Sequence, residues 1–169
     1  KKKGQKLEAF VKYIDNAENN DTDLTEQEVD ANQNPINSEV LEQRTSVDER
    51  DENIIIQVDY VQPIKENAEM EFGLKNTIRN IDNDFLVEQD SEDGWVVLNG
   101  LSNDFSYTEK IYAAYSTYSY EKGAFSYQAG LRGELTNLRT ELKQTGEING
   151  RDPFFNLFPS VHLGYEFKN

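Results

Sequence analysis

Side-chain polarity in this chain alternates with a period of two. Between Ala124 and Thr136, the residues Phe125, Tyr127, Ala129, Leu131, Gly133 and Leu135 share one side. Ser126, Gln128, Gly130, Arg132, Glu134 and Thr136 share the other. A strand sends successive side chains to opposite faces, so the segment predicts one apolar wall and one polar wall. The pattern recurs in Ile54, Ile56, Val58 and Tyr60, and in Ala68, Met70, Phe72 and Leu74. It recurs again in Leu7, Ala9, Val11 and Tyr13, and in Val161, Leu163, Tyr165 and Phe167. A sixth segment places Ile111, Ala113 and Tyr115 on the apolar side, against Lys110, Tyr112, Ala114 and Ser116. The chain therefore predicts about six strands and no helix of comparable strength.

The connections alternate in length. Gln62 to Asn67 and Tyr120 to Gly123 are short and carry Pro, Asn and Gly, the turn formers. The segments near 15–39, 81–103 and 143–159 are long and polar and predict loops. Short turns at one end and long loops at the other are the arrangement of an outer-membrane barrel. The strands would then run up and down in sequence.

The apolar face also stops at a common height. A membrane strand needs about 9–11 residues to cross the apolar band. Counting away from the short turns, Leu135 is followed on its face by Asn137 and Arg139, and Ile54 by Glu52. Ile111 is followed by Glu109, and Ile78 by Asn80, with Asn76 an earlier interruption. Aromatics gather beside the short turns: Tyr60, Tyr115, Tyr118, Tyr120, Phe125 and Tyr127, with Tyr165 and Phe167 closing the last strand. Such rings favour the headgroup level, where one end is dry and the other wet. On the opposite wall, Arg132, Glu134, Lys75, Glu71, Gln57 and Asp59 would be costly against lipid. In a wet lumen they are cheap and able to pair across strands.

Composition sharpens this picture. Mean hydropathy is -0.80, near the border with disorder. Yet the chain holds 9 Tyr and 9 Phe, residues that disordered chains lack. Polar on average but aromatic, it must keep its apolar groups in ordered stripes. The net charge of -15 argues against nucleic acid, which requires a basic face. Lys1, Lys2 and Lys3 form the only basic run and read as a solvated end or rim turn. There is no cysteine, so disulfides and thiolate metal sites are excluded. No signal peptide opens the chain, as in a mature or trimmed protein.

Four runs, in their order and spacing, resemble a known family. They are QVDYVQP from Gln57, FSYTEKIYAAYSTYS from Phe105, GAFSYQAGLRGELT from Gly123, and FNLFPSVHLGYEF from Phe155. Together they are similar to the barrel of TonB-dependent-receptor-like outer membrane proteins, within the outer membrane β-barrel family. The resemblance covers Asn53 onward well and Lys1 to Glu52 loosely. It implies an all-β, antiparallel up-and-down transmembrane barrel, with residues 1–169 forming part of one barrel domain. It implies a plug domain in the parent protein, the TonB system as partner, a bilayer as surroundings and the Gram-negative outer membrane as location. Six strands cannot close the smallest outer-membrane barrel of about eight, so a stretch of a larger barrel is expected. The family carries no short catalytic motif.

Candidate chemistry is sparse. There is no His/Glu zinc motif, no phosphate-binding glycine loop and no Gly-x-Ser-x-Gly elbow. No enzyme, cofactor or metal is expected. His162, the one histidine, falls on the polar wall and reads as a solvated residue. Asp15, Glu18, Asp21, Asp23, Glu26, Glu28 and Asp30 cluster, but without the glycine and terminal glutamate of an EF-hand. They read as a solvated charged loop. Asn20-Asp21-Thr22 matches a glycosylation pattern by coincidence. Trp95, Phe154 and Phe155 are the candidate ligand contacts, with packing onto the rim as the plainer role. A different architecture, a soluble β-sandwich that binds carbohydrate or protein, would bury Phe125, Leu131 and Tyr165 in a dry core.

Overall fold

The computed structural model describes residues 4–167. The Lys1–Lys3 run lies outside the described residues. Seven strands form one antiparallel sheet: β1 (Lys6–Val29), β2 (Pro35–Lys65), β3 (Ala68–Ser91), β4 (Gly94–Val97), β5 (Asn103–Lys122), β6 (Phe125–Leu142) and β7 (Glu147–Tyr165). The long strands lie in chain order, and β4 adds a short pairing at the end of β3. The result is an up-and-down sheet that is not closed, with β1 and β7 as its edges.

Turn chemistry sets the connections. Glu66 and Asn67 join β2 to β3, and Gly123, at φ 63°, helps join β5 to β6. At the opposite end the β1–β2 hairpin closes on Asp30, whose carboxylate accepts from Asn32 N (2.8 Å), Asn34 N (2.9 Å) and Asn34 Nδ2 (3.2 Å). An Asx carboxylate of this kind replaces the backbone partners that a turn loses. Gly146, at φ 67°, takes the left-handed position before β7.

The segments expected as long loops are largely paired strand. β1 continues unbroken through Asp15 to Val29, paired with β2 from Glu52 back to Pro35 with one irregularity near Gln27. β3 runs on to Ser91, and β7 begins at Glu147. Their backbone groups are satisfied across the ladder, and strand pairing in water demands no apolar residue. Lack of apolar residues is therefore not lack of strand.

Antiparallel partners share a face, so each level can be read straight across the sheet. One level runs Ala9, Val58, Leu74, Ala114, Gly133, Leu157. Six residues further up β3 the same face reads Asp15, Glu52, Asn80, Thr108, Arg139. The change falls at one height on β1, β2, β3, β5 and β6, through a mixed level of Tyr13, Ile54, Ile78, Lys110 and Asn137. The apolar stripe from Ala68 to Ile78 covers about 11 residues, roughly 35 Å along a strand. Tilted by about 45°, it spans about 25 Å, the height of an outer-membrane apolar band.

β5 presents the opposite side from that expected. Tyr112, Ala114 and Tyr118 lie on the apolar face, paired with Asn76, Leu74 and Met70. Ile111, Ala113 and Tyr115 lie on the polar face, paired with Thr77, Lys75 and Gly73. Tyr115 therefore leaves the aromatic group beside the short turns. Both sides of β5 are half apolar, so alternation alone could not choose between them. The sandwich architecture is not found. Among the described residues every strand joins one sheet, with no second sheet facing it. Leu131 stays 52% exposed and Leu163 82% exposed on the apolar side.

Candidate functional site: the polar wall and the extended end

The polar wall within the apolar band is the more crowded side. Ala113 and Thr136 are buried there, while Leu74 on the other face is 63% exposed. Crowding of this kind marks the concave side of a curling sheet. At its centre Tyr115 reaches across β3 and donates to the Asp59 carboxylate. Gln57 Nε2 donates to Asp59 Oδ2 (2.8 Å) and to the Tyr115 hydroxyl (3.0 Å). Arg132 lies 5.4 Å from the centre of the Tyr115 ring and pairs with Glu134 at 2.5 Å. These groups connect β2, β5 and β6 across the glycine-bearing stretch of β3.

Above the apolar band the two faces exchange character. The outward face becomes charged. Arg50 pairs with Asp15 (2.8 Å) and Glu52 (3.2 Å), Lys143 with Asp82 (3.2 Å), and Arg139 with Glu141 (3.0 Å). The Arg50 hydrogen bond holds the Asp15 carboxyl below the usual carboxylate range and raises Arg50 in turn. The inward face gains Val47, Ile81, Phe85, Val87, Phe105, Tyr107 and Leu142. The 98–102 segment closes on the β3 backbone at Val87. Leu98 N donates to Val87 O (2.8 Å), and Val87 N donates to the Ser102 hydroxyl (2.9 Å), burying both Val87 and Ser102. Arg79, at the foot of this shelf, binds the Asp51 carboxylate at 2.7 Å and 3.0 Å.

The sequence-derived candidates do not converge. Trp95 sits on β4, 40% exposed, with the Arg44 guanidinium 4.5 Å from its ring centre. Arg44, on β2, is tied to Glu88 on β3 at 2.5 Å, so the indole packs beneath a guanidinium that reaches across β3 on the outward face. Phe154 and Phe155 lie on β7, separated from β4 by β5 and β6. Phe154 faces the polar wall with Arg151 4.4 Å from its ring centre. Phe155 faces the apolar side, 61% exposed, and leans over Gly133. His162 is exposed on the polar wall opposite Gln128. The carboxylates from Asp15 to Asp30 divide between the two faces of β1, and among the described residues no group of His, Cys, Asp or Glu is placed to hold a metal ion. Sequence reading missed the Tyr115–Gly73 contact and the inward shelf. For the shelf a signal was present, since Ile81, Phe85 and Val87 alternate with Asp82, Asp84 and Glu88 inside a segment read as loop.

A meander with an apolar band of membrane height on one face and a hydrogen-bonded polar wall on the other defines a transmembrane β-barrel wall. The chain belongs to the outer membrane protein beta-barrel family, whose model matches residues 1–169. Its location is accordingly the outer membrane. No curated protein matches the sequence. Among solved structures it is similar to the ferric citrate transporter FecA in its unliganded form, with a TM-score of 0.57 and 14% identity. The match covers 98% of this chain and 25% of FecA, so the chain spans about a quarter of that protein's length.

Proposed function

We propose that this chain forms wall and mouth of a TonB-dependent outer-membrane receptor that takes up a ligand too large or scarce for diffusion. The role is transport and not catalysis. The carrying observation is the exchange of character between the two faces at one level, on strands far longer than the membrane requires. A small barrel needs about 9–11 residues per strand, whereas β2 has 31. The end bearing the 30–34, 98–102 and 143–146 connections faces the outside, where ligand arrives. The short turns face the periplasm. A plug domain of the parent protein fills the lumen and contacts the polar wall, and the TonB system drives its movement. Trp95 and Phe154 remain candidate contacts near the mouth, with Phe155 at the lipid border.

The full-length protein, reconstituted in a planar bilayer, tests this reading. A plugged receptor shows no steady conductance alone and binds the periplasmic domain of TonB. A steadily open channel that ignores TonB points instead to a porin.

A further inference from the structure

Gly73 lies in mid-strand, where glycine weakens pairing and offers no side chain to pack. Its backbone is not among those with positive φ, so conformation does not require it. Space does. The Tyr115 ring folds flat across β3 at this point, and a Cβ built on Gly73 would overlap the ring carbons and the hydroxyl. The ring occupies the missing side chain's place, and its hydroxyl reaches Asp59 and Gln57 on the far side of β3. Arg132 approaches it from β6.

This contact falls on the one strand whose pattern is ambiguous. On β5, Ile111, Ala113 and Tyr115 are about as apolar as Tyr112, Ala114 and Tyr118. A slip of one residue exchanges every side chain between lipid and lumen, and little in the alternation of β5 opposes it. The neighbours do not share this weakness. Leu131 and Leu135 on β6 oppose Arg132 and Glu134, and Ile56 and Val58 on β2 oppose Gln57 and Asp59.

We propose that the seat of Tyr115 on Gly73 specifies which face β5 turns to the membrane, a task its hydrophobic pattern leaves undone. Only with Tyr115 opposite Gly73 does the ring find an empty place and its hydroxyl a carboxylate. In the slipped arrangement the phenol faces lipid, and Asp59 keeps Gln57 but loses the Tyr115 hydroxyl. Tyr115 is thus a positioning residue for the wall, independent of what the barrel carries.

The test uses the full-length protein folded into bilayers, with single cysteines at Ile111 or Tyr112. The 169 residues contain no cysteine, so each adds a unique thiol to this segment. A fluorophore at Tyr112 is expected to be quenched by nitroxide-labelled lipid, and one at Ile111 is not. Gly73→Leu is expected to lower the folded fraction, read as the heat-modifiable gel band, by about tenfold. In the remainder the lipid quenching becomes shared between the two sites. Because leucine also adds bulk beyond the ring, Gly73→Ala is compared with Gly73→Ala/Tyr115→Val. Removing the ring frees the place but also removes what sets the face, so the double variant should recover most of the folded band lost by Gly73→Ala, with lipid quenching shared between the two sites. Tyr115→Phe keeps the ring in place and should keep the native quenching pattern. A Gly73→Ala protein with native yield and quenching overturns the proposal, as does a double variant that keeps the native quenching pattern without the ring.

Discussion

The two ends of this sheet share one continuous ladder but answer to two solvents. Beside the short turns, the outward face is apolar and exposed, as at Leu74 and Leu131, and the inward face carries the Asp59–Tyr115–Arg132 network. At the extended end, the outward face carries Arg50, Asp82 and Lys143, and the inward face carries Phe85, Phe105 and Tyr107. Backbone pairing is indifferent to the exchange, because every N–H and C=O finds the same partner in either medium. What changes is the medium that wets each side. Lipid is replaced by water on the outside, and the inward face, deprived of no lipid, becomes the place where apolar groups find cover.

The sharpest way to break this comparison is to place one charge at two heights on the same face. Leu131→Arg, near the middle of the apolar band, should cost about 2–4 kcal/mol in bilayer unfolding measurements. Leu86→Arg, on the same face beyond the band, should stay within about 0.5 kcal/mol. Equal costs at both positions would remove the membrane from the account. A second comparison probes the inward shelf. Phe85→Ala or Phe105→Ala should cost roughly 1–2 kcal/mol, since the rings are half-buried, whereas the neighbouring Asp84→Ala should change little.

Acid provides a weaker but selective probe. The Arg50 hydrogen bond lowers the Asp15 carboxyl, and that of Arg79 lowers Asp51. A carboxyl depressed in the folded state stabilises it above its unfolded value, and the contribution is lost as pH falls through the folded one. Amide protection factors, taken against the intrinsic rate at each pH, should therefore fall across the extended β1–β2 ladder only below about pH 4, while those within the apolar band hold. The smallest effect is expected for Arg50→Ala at neutral pH. Its ion pairs are solvent-exposed, and the unfolding midpoint should not move measurably.

How much was legible in the sequence followed from how sharply each residue's surroundings act on it. β6 and β2 alternate cleanly because one side meets lipid and the other a wet lumen, and their faces were readable at once. β5 was not, because its polar side is crowded enough to shelter Ile111 and Ala113 as comfortably as lipid shelters Tyr112 and Ala114. The strand continuations at Asn16–Val29 and Asp82–Ser91 were hidden by their own polarity. Outside the membrane a ladder needs a partner strand more than it needs apolar residues. The ligand-contact candidates are conspicuous aromatics, and adjacency in sequence puts Phe154 and Phe155 on opposite faces. The Tyr115–Gly73 contact depends on a pairing register between residues 42 positions apart, which no local pattern contains.

The most direct test is a spin-label scan of the full-length protein in bilayers, at Val58, Ile56, Ile54, Glu52, Arg50 and Asp48 on the outward face of β2. Oxygen, enriched in lipid, should dominate the relaxation at Val58, Ile56 and Ile54. A water-soluble nickel chelate should dominate at Glu52, Arg50 and Asp48. A profile that is wet at all of these positions, or dry at all of them, would contradict the account.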